Sequence, residues 1–209
     1  MKKYLLLLFL ILSYSSFSQK IKAIGIDVGT NICPLITRFQ GFTGSLAIQV
    51  SDSTNNTIEY TVGYSSFTRP KNKIFSPTLQ GNFEQDNKGF YFSVGKTNKK
   101  NFGWHSILSI YQIQNTLFLL DNDFNTVYKN EFEKELLIAI GADIFYEVPI
   151  KFNKKIQNNV RMCLSASIGT TTKTAAVVLY APGFNLLTPR IILPTFGFGL
   201  SIPIFLNLK

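Results

Sequence analysis

The sequence predicts an all-β protein, a closed antiparallel transmembrane β-barrel of about eight strands behind an N-terminal signal peptide. The first observation behind that prediction is period-two alternation near the C-terminus. Val160, Met162, Leu164, Ala166 and Ile168 share one parity, and Arg161, Cys163, Ser165, Ser167 and Gly169 the other. This is the pattern of a strand with one face in an apolar medium. Leu136 to Ile150 and Thr195 to Leu208 repeat it. The second observation is what occupies the two parities. The apolar one carries no charge through these three stretches, whereas the other is rich in small residues such as Ala139, Gly141, Ser165, Gly197 and Gly199. An eight-stranded barrel has a lumen just wide enough for side chains to fill, so small residues suit its inner wall. The third is that connections alternate in length, as membrane barrels require of long outer loops and short inner turns.

The chain opens with Met1-Lys2-Lys3-Tyr4, an apolar run from Leu5 to Leu12, and mostly small residues up to Ser18. A basic segment, a short apolar core and a small-residue cleavage site predict a signal peptide over residues 1–18. The apolar core is about half of the ~20 residues a spanning helix needs. Residues 19–209 then form one barrel domain. No cysteine stands at the cleavage site, which argues against a lipid anchor.

Strands are expected over residues 22–30, 45–51, 57–67, 88–95, 102–113, 132–150, 157–169 and 194–208. The third is clear, with Ile58, Tyr60, Val62 and Tyr64 on one parity. The second is short, with Leu46, Ile48 and Val50 in phase; the fourth is aromatic (Phe90, Tyr91, Phe92), and the fifth alternates poorly. Segments 31–44, 68–87, 114–131 and 170–193 read as long loops, and 52–56, 96–101 and 151–156 as short turns. The last long segment contains the apolar run Thr174 to Gly183, read either as an extension of the flanking strands or as a contact surface. Tyr60, Trp104 and Tyr146 stand near strand ends, where interfacial aromatics belong.

The formal net charge is +9, falling to +7 once Lys2 and Lys3 are removed. The remaining lysines cluster at Lys71/Lys73, Lys96/Lys99/Lys100 and Lys151/Lys154/Lys155, in turn-like segments. That placement points to solvated loops touching anionic lipid headgroups or lipopolysaccharide phosphates, and no nucleic acid is expected. The two cysteines, Cys33 in the first loop and Cys163 in mid-strand, fall toward opposite ends of the barrel and are expected as free thiols.

With its signal, its strand pattern and its final strand Gly197-Phe198-Gly199-Leu200-Ser201-Ile202-Pro203-Ile204-Phe205-Leu206, the chain resembles the small outer-membrane β-barrel proteins of Gram-negative bacteria, of the OmpA-transmembrane, OmpX, OmpW and PorT-like kinds. The resemblance spans residues 19–209. It implies location in the outer membrane, insertion by the barrel-insertion machinery, and porin-like architecture in the cell envelope. The family usually ends on an aromatic residue, whereas this chain ends Asn207-Leu208-Lys209.

Three charges are expected to share the lumen. If residue numbers across the 151–156 turn sum to about 310, Glu147 faces Cys163 and lies diagonal to Arg161, with Glu59 at similar height. Glu59, Glu147 and Arg161 then form an ion-pair cluster that plugs the barrel. Ile24-Gly25-Ile26-Asp27-Val28-Gly29-Thr30 looks like the phosphate-binding loop of the actin and sugar-kinase superfamily, but such ATPases need about twice this length, so a first strand and turn is the simpler reading. Trp104-His105-Ser106 invites comparison with outer-membrane lipid A deacylases, yet adjacent residues point to opposite strand faces, which prevents a direct proton relay. A single histidine and separated cysteines lack metal-ligand spacing.

The expected function is therefore non-enzymatic and without cofactors: a structural, adhesive or envelope-assembly accessory role, with outer-membrane lipids and an envelope protein as partners. Two alternatives stand beside it. One is a soluble periplasmic or secreted barrel binding an apolar ligand, which requires the apolar parity to face inward. The other is an outer-membrane lipid hydrolase using His105 and Ser106.

Overall fold

A computed structural model of the chain describes residues 20–32, 40–51, 57–76, 79–120, 126–151, 155–181 and 184–208. They form nine strands: β1 Lys20–Ile32, β2 Gln40–Ser51, β3 Thr57–Ser76, β4 Leu79–Thr97, β5 Phe102–Leu120, β6 Thr126–Glu131, β7 Glu135–Lys151, β8 Ile156–Ala181 and β9 Phe184–Asn207. All pairings are antiparallel. β1 pairs with β9 and β4 with β5, so β1, β2, β3, β4, β5, β7, β8 and β9 close into an eight-stranded ring. Closure leaves no sheet edge around the barrel wall. The expected signal peptide and Cys33 lie outside the described residues.

All eight expected strands are present, but the long loops between them need correction. β3 and β4 pair up to Ser76↔Leu79, and β8 and β9 up to Ala181↔Phe184, so residues 68–87 and 170–193 are mostly strand. The alternation in length is thus an alternation in how far each hairpin extends. The run from Thr174 belongs to such an extension. Lys71 and Lys73 accordingly sit in β3 and not in a turn. The segment 114–131 carries the rest of β5 and the short β6, which pairs with the outer part of β5 outside the ring. Residues 132–134, expected to begin a strand, precede it.

One short turn is fully described. Asn98 Oδ1 accepts hydrogen bonds from the backbone N–H groups of Lys100 and Phe102, at 2.8 and 3.1 Å. Asn101 takes the left-handed conformation (φ 62°) that closes the turn, a geometry that asparagine tolerates better than most residues.

The apolar parity faces outward. Ile140, Leu164 and Ile202 are 62, 57 and 50% exposed, while Ala139 and Gly199 are buried. β5 follows the same rule despite its poor pattern. Its inward set includes Ile113 and Ser109, and its outward set includes Ser106 between Trp104 and Leu108. In β4, Phe90 points out at 66% exposure and Tyr91 is half-buried on the inward parity.

The lumen is filled in layers. At the end where β1 begins and β9 finishes, Ala23, Ala47 and Phe205 pack together. Gly25 makes room for Phe205, because a Cβ there would fall 2.5 Å from its ring. At the other end Ile113, Leu137 and Ala139 cluster beside Tyr111, whose ring meets Phe67 edge-on at 6.3 Å. Charged groups and a cavity lie between.

Candidate functional site: an ionic layer across the lumen

Glu147 and Arg161 are direct cross-strand partners on β7 and β8. This corrects the expected register by two residues: Phe145, not Glu147, faces Cys163. The pairing places the Arg161 guanidinium beside the Glu147 carboxylate, with Nε and Nη2 donating to Oε1 at 2.9 and 2.6 Å. Arg161 also reaches across the barrel. β8 and β3 are four strands apart in either direction around the ring, and Nη1 and Nη2 donate to Glu59 Oε1 and Oε2, both at 2.9 Å. Such bidentate geometry is what the planar guanidinium supplies and a lysine does not. The expected trio of Glu59, Glu147 and Arg161 is therefore assembled, and all three are at least 95% buried.

Three further charged groups join it. Asp27 on β1 meets Arg161 Nη1 at 3.4 Å and accepts from Ser201 Oγ at 3.1 Å. His105 on β5 lies in the register row Glu59↔Gly95↔His105↔Asp143. Its Nδ1 is 3.0 Å from Asp143 Oδ1 and its Nε2 3.6 Å from Glu59 Oε1. Gly95 permits the second contact, since a Cβ at that position would overlap the imidazole. Phe145 binds the two halves: its ring stacks on His105 at 4.5 Å, and Arg161 Cζ sits 4.4 Å from its centroid. Neutral donors complete the shell, with Asn159 Nδ2 donating to Glu147 at 2.6 Å and Gln49 Nε2 to Glu59 at 3.1 Å.

Buried charges are tolerated when paired and hydrogen-bonded, and here each charged side chain has at least one oppositely charged partner, across five strands. Asp27 and His105 attracted notice in the sequence as parts of other motifs. β1 runs unbroken through Asp27 to Ile32 and pairs on both sides, so the loop of the ATPase comparison is absent here. His105 is buried while Ser106 is exposed on the opposite face, which keeps the two from acting as a relay. Asp143 was missed, although its inward parity with Gly141 and Phe145 was the available signal. Cys163 is a free thiol on the lumen wall. Among the described residues no group of histidine, cysteine and carboxylate side chains could hold a metal ion.

Beyond the ionic layer, toward the long hairpins, a cavity of ≈230 Å³ remains. Its wall includes Thr43, Ser93, Ser109 and Tyr91, with Asp27, His105, Asp143 and Arg161 also among the lining residues. A comparison of the chain with protein-family models finds no match, and neither does a comparison with curated proteins.

Proposed function

We infer that the chain is a transmembrane barrel of the bacterial outer membrane, of the small kind that the sequence resembles, with a structural, adhesive or envelope-assembly accessory role and no catalysis of its own. The observation that carries this reading is the outer surface. Every strand of the ring presents exposed apolar side chains, from Ile24, Ile26 and Val28 on β1 round to Ile202, Ile204 and Leu206 on β9. Soluble proteins rarely expose contiguous apolar patches beyond a few hundred Å². On β7 this surface runs from Leu136 to Val148, about 28 Å of height at a tilt near 45°, close to the ~25 Å band of membrane barrels. Exposed lysines stand toward its edges, Lys22 near the start of β1 and Lys88 beyond Phe90 on β4. Trp104 and Tyr146 lie toward its short-turn end, half-exposed, where aromatics anchor an interface.

A soluble barrel holding an apolar ligand calls for the reverse arrangement, since its greasy parity must line the lumen. Here the lumen carries the charges. The ionic layer also favours a closed barrel over an open pore, because Arg161 spans the lumen to Glu59. Envelope fractionation tests the reading: the chain should sediment with the outer membrane, need detergent for extraction, and migrate differently on gels before and after boiling. Recovery in the soluble periplasmic fraction without detergent would contradict it.

A further inference from the structure

We propose that the lumen cavity is a binding site for a small hydroxylated primary ammonium ion, held by Asp143. The first argument is charge. Four carboxylates, from Asp27, Glu59, Asp143 and Glu147, meet the guanidinium of Arg161 and the imidazole of His105 in the ionic layer. Among the described residues the carboxylates of this layer outnumber its basic groups, Arg161 and His105, by two. Among the described residues these two are also the basic groups on the cavity wall. Burial makes an excess of like charge costly, so a cation at this surface is favoured.

The second argument is the state of Asp143. Its Oδ1 takes both contacts with His105, from the backbone N–H at 3.1 Å and from Nδ1 at 3.0 Å. The same side chain lines the cavity, which puts its carboxylate within reach of a ligand there. An ammonium group donating to it forms a charge-assisted hydrogen bond. The third is the wall itself. Thr43, Ser93 and Ser109 in the wall carry hydroxyls able to donate to and accept from a ligand's own hydroxyl, and Tyr91 and Tyr111 carry rings of the kind that attract a cation. A single water needs only about 10–15 Å³ of such space, so ≈230 Å³ admits a ligand of several non-hydrogen atoms. A bare metal ion is not the occupant argued for, because among the described residues no group of histidine, cysteine and carboxylate side chains could hold one. Ala23, Ala47 and Phe205 fill the opposite end of the lumen, which closes that side to a ligand. The inference stands on the lumen alone and does not depend on where the barrel resides.

The test is amide NMR of the folded protein in detergent micelles, titrated at constant ionic strength with ethanolammonium chloride, ethylene glycol, sodium acetate and potassium chloride. Ethanolammonium should shift the resonances of Ser93, Ser109 and Asp143 saturably, and the other three should not. Asp143→Asn should weaken binding about tenfold or more, the scale of one lost charge-assisted hydrogen bond. Because that variant also touches His105, Ser109→Leu provides a second reading: it fills the cavity, leaves the ionic layer intact, and should abolish the shifts. Equal shifts with ethylene glycol or potassium, no shift with ethanolammonium, or undiminished binding by folded Ser109→Leu would each overturn the proposal.

Discussion

Glu147 and Arg161 stand directly opposite each other on neighbouring strands, and the same guanidinium that meets Glu147 at 2.6 Å closes a bidentate pair with Glu59 on the far wall of the barrel. One side chain thus ties together strands that the hydrogen-bonded ladder does not join.

Removing Arg161 leaves Glu59, Glu147 and Asp27 facing one another without their shared cation. Arg161→Met should lower stability by about 3–5 kcal/mol, the usual cost of orphaning a buried ionic partner. Urea unfolding in lipid vesicles reads this directly. Arg161→Lys should recover only part of the loss, because an ammonium cannot serve both carboxylates through a planar fork.

Two glycines that look alike in the sequence should respond in opposite ways. A Cβ at Gly95 would run into the His105 ring and the Trp104 carbonyl, whereas at Gly44 it would meet nothing within 4 Å. Gly95→Ala should destabilise by about 1–3 kcal/mol, as overpacking does. Gly44→Ala should stay within about 0.5 kcal/mol of the parent. The same vesicle unfolding assay compares them.

How much of this arrangement the sequence carried depends on the kind of information. Which way each side chain faces was readable, because Leu164 and Ser165, or Ile140 and Gly141, differ in character at every step. Register was not. Sliding β8 against β7 by two residues keeps every side chain on its own face, so alternation could not distinguish Glu147 opposite Cys163 from Glu147 opposite Arg161. The approach of Arg161 to Glu59 depends on barrel closure and stagger, which no local pattern records. β6 was missed for a simpler reason: Thr126 to Glu131 has no apolar parity, and its pairing is decided by the extended edge of β5.

Replacing an outward residue by a charge separates a lipid-facing wall from a water-facing one. Leu164→Arg and Ile140→Arg should each cost about 2–4 kcal/mol in a bilayer, the figure for a cation near the midplane of a barrel. On a surface bathed in water the same changes should be nearly neutral. Unfolding equilibria in vesicles decide between these outcomes.

Ser106→Ala should leave both stability and lipid composition of the host membrane unchanged. The hydroxyl stands outside the barrel and His105 within it, so the two are not placed to act together. Mass spectrometry of extracted lipid A, comparing cells that express parent and variant, gives the check; a parent-dependent deacylation abolished by Ser106→Ala would reinstate the hydrolase reading.

The central claim is that the apolar outer face meets hydrocarbon, and Trp104 reports on it without any engineering. It is the sole tryptophan of the chain and is 49% exposed on that face. Folded into vesicles of phosphatidylcholine brominated on its acyl chains, the protein should lose most of its tryptophan fluorescence relative to unbrominated vesicles and remain inaccessible to aqueous iodide. Full emission in brominated lipid together with efficient quenching by iodide would contradict the account.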